Sequence, residues 1–325
     1  MLPEQDWVRD FDKDPGVKVH CKLARVIMQP FQVAMPSVSV IIPVYNSVDT
    51  LPRALDSVLA QSRAADEIVV IDDGSTDHTP DIMQLRYPGV HYYYREHRGT
   101  GAALNTGIRK TRGNWIAFLD ACSEWLPNKL ELQLGIANHD RGCRVVYGTE
   151  RTIREGGQAS FADTTKGPQG MIFDLCLSAP VISLSTAMIH RTALDQLGGF
   201  DESPSLCSEY DFWLRLCSAY PVACIDAPAV NRFDNPGDGK SGAGENMQLR
   251  QVRSLVNIID SGTLTAPQEA VARKALNEKC SAIISDATRY KRWHELAYHQ
   301  SIIDRLGNAD DSEPGMDEYE HSGKH

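Results

Sequence analysis

Polar side chains that could bind a ligand or move a proton follow three apolar runs of this sequence. Asp72 and Asp73 follow one run, Asp120 follows the second, and Tyr45 and Asn46 follow the third. Carboxylates accept hydrogen bonds from hydroxyl groups, bind cations and remove protons. We therefore expect a site for a hydroxyl-rich, charged ligand where these runs end.

The apolar runs alternate with amphipathic segments, which predicts parallel strands joined by crossover helices. The run Val38–Val44 is nearly continuous, as expected of a strand buried on both faces. The next predicted elements are a helix from Leu51, strand Glu67–Asp72, helix Thr79–Leu85, strand Val90–Tyr94, helix Gly101–Arg109 and strand Trp115–Leu119. Ligands of such sheets bind beyond the carboxyl ends of the strands, where the polar residues lie.

The second half of the chain predicts further elements and a helical C-terminal region. The predicted elements are helix Pro127–Asn138, strand Val145–Tyr147, strand Ser183–His190, helix Ser208–Tyr220 and three later helices, among which Trp293 is expected to pack. We divide the chain into an extension (1–35), an α/β domain (36–242), a helical appendix (243–307) and an acidic tail (308–325) predicted to be disordered.

Composition excludes several classes of protein. The chain has 325 residues, of which 42% are apolar and 23% charged, as in a folded globular protein. Its net charge of -10 argues against nucleic acid as a partner. It has no apolar run of about 18 residues, and its eight cysteines include no C-x-x-C pair. We expect a cytoplasmic protein with reduced thiols. A peripheral position at the inner face of a membrane and a homo-oligomer remain open.

Four segments in one order and spacing resemble the family 2 glycosyltransferases. They are VIIPVYN (40–46), VVIDDGSTD (69–77), WIAFLD (115–120) and GGFDE (198–202). The resemblance covers about residues 36–241 and implies a GT-A fold, a nucleotide-binding mixed sheet flanked by helices. It also implies an inverting glycosyltransferase with a nucleotide-diphosphate sugar donor, UDP being favoured. Carbohydrate, lipid-linked and protein acceptors stay open.

The resemblance assigns the donor site residue by residue. It places the nucleotide base against Pro43, Tyr45, Asn46 and Asp73, and the ribose against Asp120. These residues carry the donor and acceptor groups that a nucleoside needs.

Two neighbouring residues have alternative interpretations. Asp72 is expected to cap the turn that begins at Gly74 rather than to bind ligand. Arg98 fits a contact to donor phosphate and a solvated surface position about equally well.

The family's metal-binding signature is altered in this chain. Its Asp-x-Asp pattern reads Asp120-Ala-Cys122, and Mg²⁺ or Mn²⁺ prefers oxygen ligands to a thiol. Asp234 replaces the family's histidine and could either restore a ligand or begin a turn. We expect a divalent cation held by Asp120 and Asp234, or positive charge from Arg232 or Lys240 in its place.

The expected general base is also altered. Glu209 aligns with the aspartate that acts as base in the family, and Ser208 with the glutamate before it. A carboxylate there would take the proton of the acceptor hydroxyl, whereas the alternative is an acid that stabilises a helix N-terminus. Asp211 is expected to be structural. Because positions 122, 209 and 234 all depart, the second hypothesis is a catalytically impaired sugar-nucleotide-binding or scaffold protein.

Overall fold

The computed structural model describes residues 36–140, 142–154, 159–160, 166–203, 207–233 and 247–307. The strands are β1 (Val38–Val44), β2 (Glu67–Asp72), β3 (His91–Tyr94), β4 (Trp115–Phe118), β5 (Ser123–Trp125), β6 (Val145–Ile153), β7 (Ala159–Ser160), β8 (Met188–His190) and β9 (Ala223–Phe233). The helices are α1 (Leu51–Leu59), α2 (Thr79–Arg86), α3 (Thr100–Lys110), α4 (Lys129–His139), α5 (Phe173–Cys176), α6 (Arg191–Leu197), α7 (Ser208–Ala219), α8 (Met247–Asp260), α9 (Ala266–Arg289) and α10 (Trp293–Ile302). A 3₁₀ helix at Leu184–Thr186 precedes β8.

The described strands form one mixed sheet in the order β3-β2-β1-β4-β8-β6-β9-β5, with β7 paired to β6. Strands β3, β2, β1 and β4 are parallel, β8 runs antiparallel to β4 and β6, β9 is parallel to β6, and β5 is antiparallel to β9. The mixed α/β sheet flanked by helices is confirmed.

Both faces of strand β1 are covered by apolar residues. Val40 and Ile42 belong to the apolar cluster on one face, and Ile41 belongs to the cluster on the other. A Cβ on Gly107 of α3 would lie only 2.4 Å from Ile41 Cγ2, so glycine allows this helix to pack close to β1. The packing holds the last turn of α3 against the middle of β1.

The C-terminal helices share a core with the sheet. Leu255 of α8 and Leu276 of α9 are fully buried in the same apolar cluster as Trp213 of α7. The prediction that Trp293 packs among these helices is wrong, since it is 61% exposed at the start of α10. Among the helices of the described residues, none has the length and apolar character needed to cross a bilayer.

The largest element that the sequence pattern did not predict is β9. Asp226 and Pro228 interrupt its apolar residues, and its pairing with β6 shifts register where Pro228 lies opposite Thr149. The predicted strand Ser183–His190 is only partly correct, because its first half forms the 3₁₀ helix. The domain boundary at residue 242, the extension and the acidic tail lie outside the described residues and stay predictions.

Candidate active site

The loop after β1 is joined to the turn after β2. The backbone N–H of Asn46 donates to Ser75 Oγ at 2.9 Å, and Asn46 Oδ1 accepts from the backbone N–H of Thr76 at 2.8 Å. Asn46 has a φ of 49°, a left-handed conformation that asparagine tolerates. Pro43 is the penultimate residue of β1, and Tyr45 directly after the strand remains 49% exposed.

Asp72 caps the turn that follows β2, as predicted. Its Oδ1 accepts from the backbone N–H of Ser75 at 2.7 Å, and its Oδ2 accepts from the hydroxyl of Tyr92. Burial, with the hydrogen bond and the charge of Asp72, raises the pKa of Tyr92 far above its usual range. Asp72 therefore has a structural role in this turn.

Asp73 organises the segment before α3. Its carboxylate accepts from the backbone N–H of Gly99 at 2.7 Å and of Arg98 at 3.2 Å, and it pairs with Arg95 at 3.2 Å. The ring of His97 lies 3.0 Å from the same carboxylate and packs against the ring of Tyr45, with 4.5 Å between ring centres and a tilt of 35°. The predicted base-binding residues thus form one connected surface, and donor binding by Asp73 stays a prediction.

The side chain of Arg98 pairs with Glu202 at 2.9 Å. Glu202 belongs to the GGFDE segment and also accepts from the amide of Asn105 in α3 at 3.0 Å. Arg98 is not among the described residues that line the cavity beside Asp120. A phosphate contact by Arg98 would require this ion pair to open.

A cavity of about 580 Å³ is lined in part by Asp120. This volume is within the usual size range of small-molecule sites. Its chemically active lining residues are Asp120, Cys122, Glu150, Glu209 and Arg232. Asp120 follows β4 and Cys122 directly precedes β5. Glu150 lies within β6, Arg232 is the penultimate residue of β9, and Glu209 is in the first turn of α7. The structure brings Asp120, Cys122 and Glu209 to one cavity, and their predicted roles stay predictions.

Three carboxylates among the described residues line this cavity, and the pKa values of Glu209 and Asp120 are raised, mainly by burial. Burial, followed by the charges of Asp120 and Glu150, raises the pKa of Glu209 to about 7. Burial also raises the pKa of Asp120, and Glu150 adds to that rise, whereas the hydrogen bond from Ser185 and the charge of Arg232 oppose it. A carboxylate with a pKa near neutrality can accept a proton at neutral pH and release it again.

Asp120 is held in place by the 3₁₀ helix. Ser185 Oγ donates to Asp120 Oδ2 at 2.8 Å, and the backbone N–H of Asp120 donates back to Ser185 Oγ at 3.0 Å. The carbonyl of Ser185 accepts from the indole N–H of Trp125 at 2.9 Å. These contacts orient the carboxylate at the cavity wall.

A buried lysine supports the same wall from behind. Lys129 Nζ donates to Gln133 Oε1 at 2.8 Å and lies 4.0 Å from the ring centre of Trp125. Gln133 in turn donates to the carbonyls of Val146 and Thr186. Burial lowers the pKa of Lys129 well below its usual range. The network ties α4 to the 3₁₀ helix.

The described residues fit a divalent cation poorly. Cys122 offers a thiol where the family's second aspartate would offer oxygen. Across the described ranges, no three or more His, Cys, Asp or Glu residues are grouped as metal ligands. Asp234 and Lys240 lie outside the described residues, so the proposed compensation by Asp234 stays a prediction.

Sequence reasoning missed Glu150. It lies on β6 where the pairing with β9 is irregular, and such bulges redirect side chains. The predicted strand ended at Tyr147, so an acid three residues later had no assigned position. The structure extends β6 to Ile153, and only this longer strand gives Glu150 a position in the sheet. Asp211, predicted to be structural, pairs with Arg215 at 2.7 Å.

The sequence is similar to glycosyltransferases. The model of the Glycosyl transferase family 2 matches residues 39–198. TuaG of Bacillus subtilis, described as a putative teichuronic acid biosynthesis glycosyltransferase, is 31% identical over 188 residues, which are 56% of this chain and 72% of that protein. A glycosyltransferase of Rickettsia typhi is 35% identical over 57% of this chain and 61% of its own length. The chain belongs to glycosyltransferase family 2.

The fold is also that of a solved structure. Residues 1–349 of TarS from S. aureus, solved with UDP-GlcNAc, superpose with a TM-score of 0.65 at 17% identity, over 83% of this chain and 81% of that one. At this identity the similarity concerns the fold alone. The chain spans between 27% and 61% of the lengths of the glycosyltransferases from five Rickettsia species that it matches.

Proposed function

We propose that this protein transfers a sugar from a UDP-sugar donor to an acceptor hydroxyl with inversion at the anomeric carbon. The observation that carries the proposal is Glu209, a carboxylate in the cavity beside Asp120 with a pKa raised to about 7. Membership of family 2 supports the class of reaction, and the TarS complex supports UDP as the nucleotide.

The proposed reaction is a single displacement. The acceptor oxygen attacks the anomeric carbon from the side opposite the nucleotide, the bond from that carbon to the β-phosphate oxygen breaks, and UDP leaves with the electron pair. The acceptor proton passes to the carboxylate of Glu209. Attack from the opposite side inverts the configuration, and the base contributes by removing the proton as the new bond forms.

The acceptor is proposed to be a carbohydrate, as in cell-surface polysaccharide synthesis. TuaG is named for teichuronic acid biosynthesis, which supports this class. The lining of the cavity that contains Asp120 and Glu209 also includes residues 180–183, of which Pro180, Val181 and Ile182 are apolar. Apolar surface with a few oriented polar groups suits the two faces of a sugar ring.

The direct test is incubation with individual UDP-sugars and oligosaccharide acceptors. We expect release of UDP and a product whose anomeric configuration, measured by NMR, is opposite to that of the donor. Retained configuration would exclude a single displacement. If UDP binds but no donor is consumed with any acceptor class, the catalytically impaired binding protein is the better description.

The pH dependence of kcat/KM is expected to report Glu209. Activity should rise with pH through about 7, because the base acts only when ionised and burial with the charges of Asp120 and Glu150 raises its pKa. Glu150→Gln removes one of those charges, so the acidic limb should move to lower pH.

Glu269→Gln is the matched control for this profile. Glu150 pairs with Arg232, and Glu269 likewise pairs with an arginine, Arg273, but Glu269 lies on α9 and is not among the described lining residues of the cavity. Its pH profile should equal that of the wild type. An acidic limb that stays in place in Glu150→Gln would show that Glu150 does not act on the base.

A further inference from the structure

A nucleotide diphosphate entering this cavity meets an excess of negative charge. Asp120, Glu150 and Glu209 all line it, and the leaving diphosphate gains charge as its bond to the sugar breaks. Family 2 enzymes are expected to use a divalent cation here, but Cys122 replaces its oxygen ligand. Some other positive group must therefore stabilise the leaving group if the enzyme turns over.

Arg232 stands next to the altered position. In the pairing of β5 with β9, Arg232 lies opposite Ser123, the residue after Cys122. Its side chain lines the cavity and is 57% exposed, so a ligand can reach it. Among the described lining residues it is the only one with a cationic side chain.

The ion pair between Arg232 and its present partner, Glu150, is long. The shortest distance between its guanidinium and the carboxylate of Glu150 is 3.6 Å, longer than the usual 2.7–2.9 Å of a charge-assisted hydrogen bond. A diphosphate could therefore replace Glu150 as the partner of the Arg232 guanidinium, which offers a planar fork of donors to phosphate oxygens.

Arg53 adds a second guanidinium beside the same position. Its Nη2 donates to the carbonyl of Cys122 at 3.3 Å, and its Cζ lies 3.5 Å from the ring centre of Phe233, a cavity residue. Its Nε is buried, and no described atom accepts a hydrogen bond from it. Arg53 thus places a second positive charge beside Cys122.

We infer that this protein binds the donor diphosphate through a guanidinium site, Arg232 with Arg53 behind it, in the place where a divalent cation would otherwise be held by residue 122. The inference rests on the proposed function for its role in catalysis. In this site Arg232 donates hydrogen bonds to the β-phosphate oxygens as the bond to the sugar breaks, and no metal is required for UDP to leave.

The test measures UDP and uridine binding by isothermal titration calorimetry in EDTA and in Mn²⁺. We expect wild-type protein to bind UDP equally well in both. Arg232→Ala should weaken UDP binding about 10-fold or more, since hydrogen bonds between charged groups are lost, but leave uridine binding unchanged. Arg232→Lys should be intermediate because lysine lacks the planar fork.

Arg305→Ala is the matched control. Arg305 is also 57% exposed and also paired with a carboxylate, that of Asp260 at 3.3 Å, but it lies in the C-terminal helical region. The Arg305→Ala variant should bind UDP as the wild type does.

A rescue variant completes the set, because Cys122→Asp in the Arg232→Ala background should recover UDP binding in Mn²⁺ and not in EDTA.

The outcomes separate this inference from the proposed function. UDP binding and turnover that require Mn²⁺ and are lost in Asp234→Ala would overturn the guanidinium site and leave the glycosyltransferase intact. Metal-independent UDP binding that depends on Arg232, with no UDP-sugar consumed, would support the site and contradict the proposed turnover. Unchanged UDP affinity in Arg232→Ala would also overturn the inference.

Discussion

Glu209→Gln is expected to lower kcat by about 10² to 10⁴ while UDP binding is retained, because general base catalysis contributes about that factor. Glutamine keeps the shape of the side chain at the start of α7 but cannot accept the acceptor proton. The measurement is steady-state UDP release, with UDP affinity determined separately. A kcat within a few-fold of the wild type would remove Glu209 from the role of base.

Glu209→Asp is the informative companion variant. It returns the residue that the family carries at this position and keeps the carboxylate, but shortens its reach by one methylene. We expect activity between those of the wild type and Glu209→Gln, with the acidic limb of the pH profile still present. Loss of that limb only in Glu209→Gln would assign it to this carboxylate.

Thermal stability distinguishes the base from a simple helix N-terminal acid. The folded-state pKa of Glu209 is raised from 4.5 to about 7, so its contribution to stability is present at low pH and is lost as pH rises through 7. Glu209→Gln should therefore match or exceed the wild-type Tm at pH 8 to 9. An acid held by the helix dipole would do the opposite, since losing its charge costs stability.

Gly199→Ala is expected to destabilise the fold more than Gly198→Ala. Both glycines have left-handed backbones, with φ of 77° and 75°, so each substitution should cost about 1–2 kcal/mol from backbone strain. A Cβ on Gly199 would in addition lie 2.5 Å from Oδ1 of Asn105, whereas nothing lies within 4 Å of one on Gly198.

The additional cost in Gly199→Ala comes from the buried contacts of Asn105. Its Oδ1 accepts from the backbone N–H of Phe200 at 2.8 Å, and its Nδ2 donates to the carbonyl of Phe200 at 2.7 Å. If the amide moves, these buried groups lose partners at about 1–3 kcal/mol. Urea denaturation of both variants measures the difference, and equal midpoints would show that the Asn105 contact can shift without cost.

The amino-acid sequence determined the order of the first strands and helices and the family. Short apolar runs such as Val38–Val44 encode buried strands locally, so β1, β2 and α1 were predicted at or close to their observed bounds. The carboxylates at strand ends follow from the same pattern, because a parallel sheet brings those ends to one edge. The role of Asp72 as a turn cap was equally local, since its partner Ser75 lies three residues away.

Only the tertiary structure decided what the cavity contains. Glu150 and Arg232 come from β6 and β9, strands whose extent depends on pairing over about eighty residues of sequence and on a register shift at Pro228. The tertiary structure likewise showed that Asp73 binds the Arg95–Gly99 segment and that Trp293 is exposed. Glu209 could be aligned from sequence, but its raised pKa depends on burial and on two acids distant in the chain. Electrostatic coupling follows distance in space, which local residue patterns do not contain.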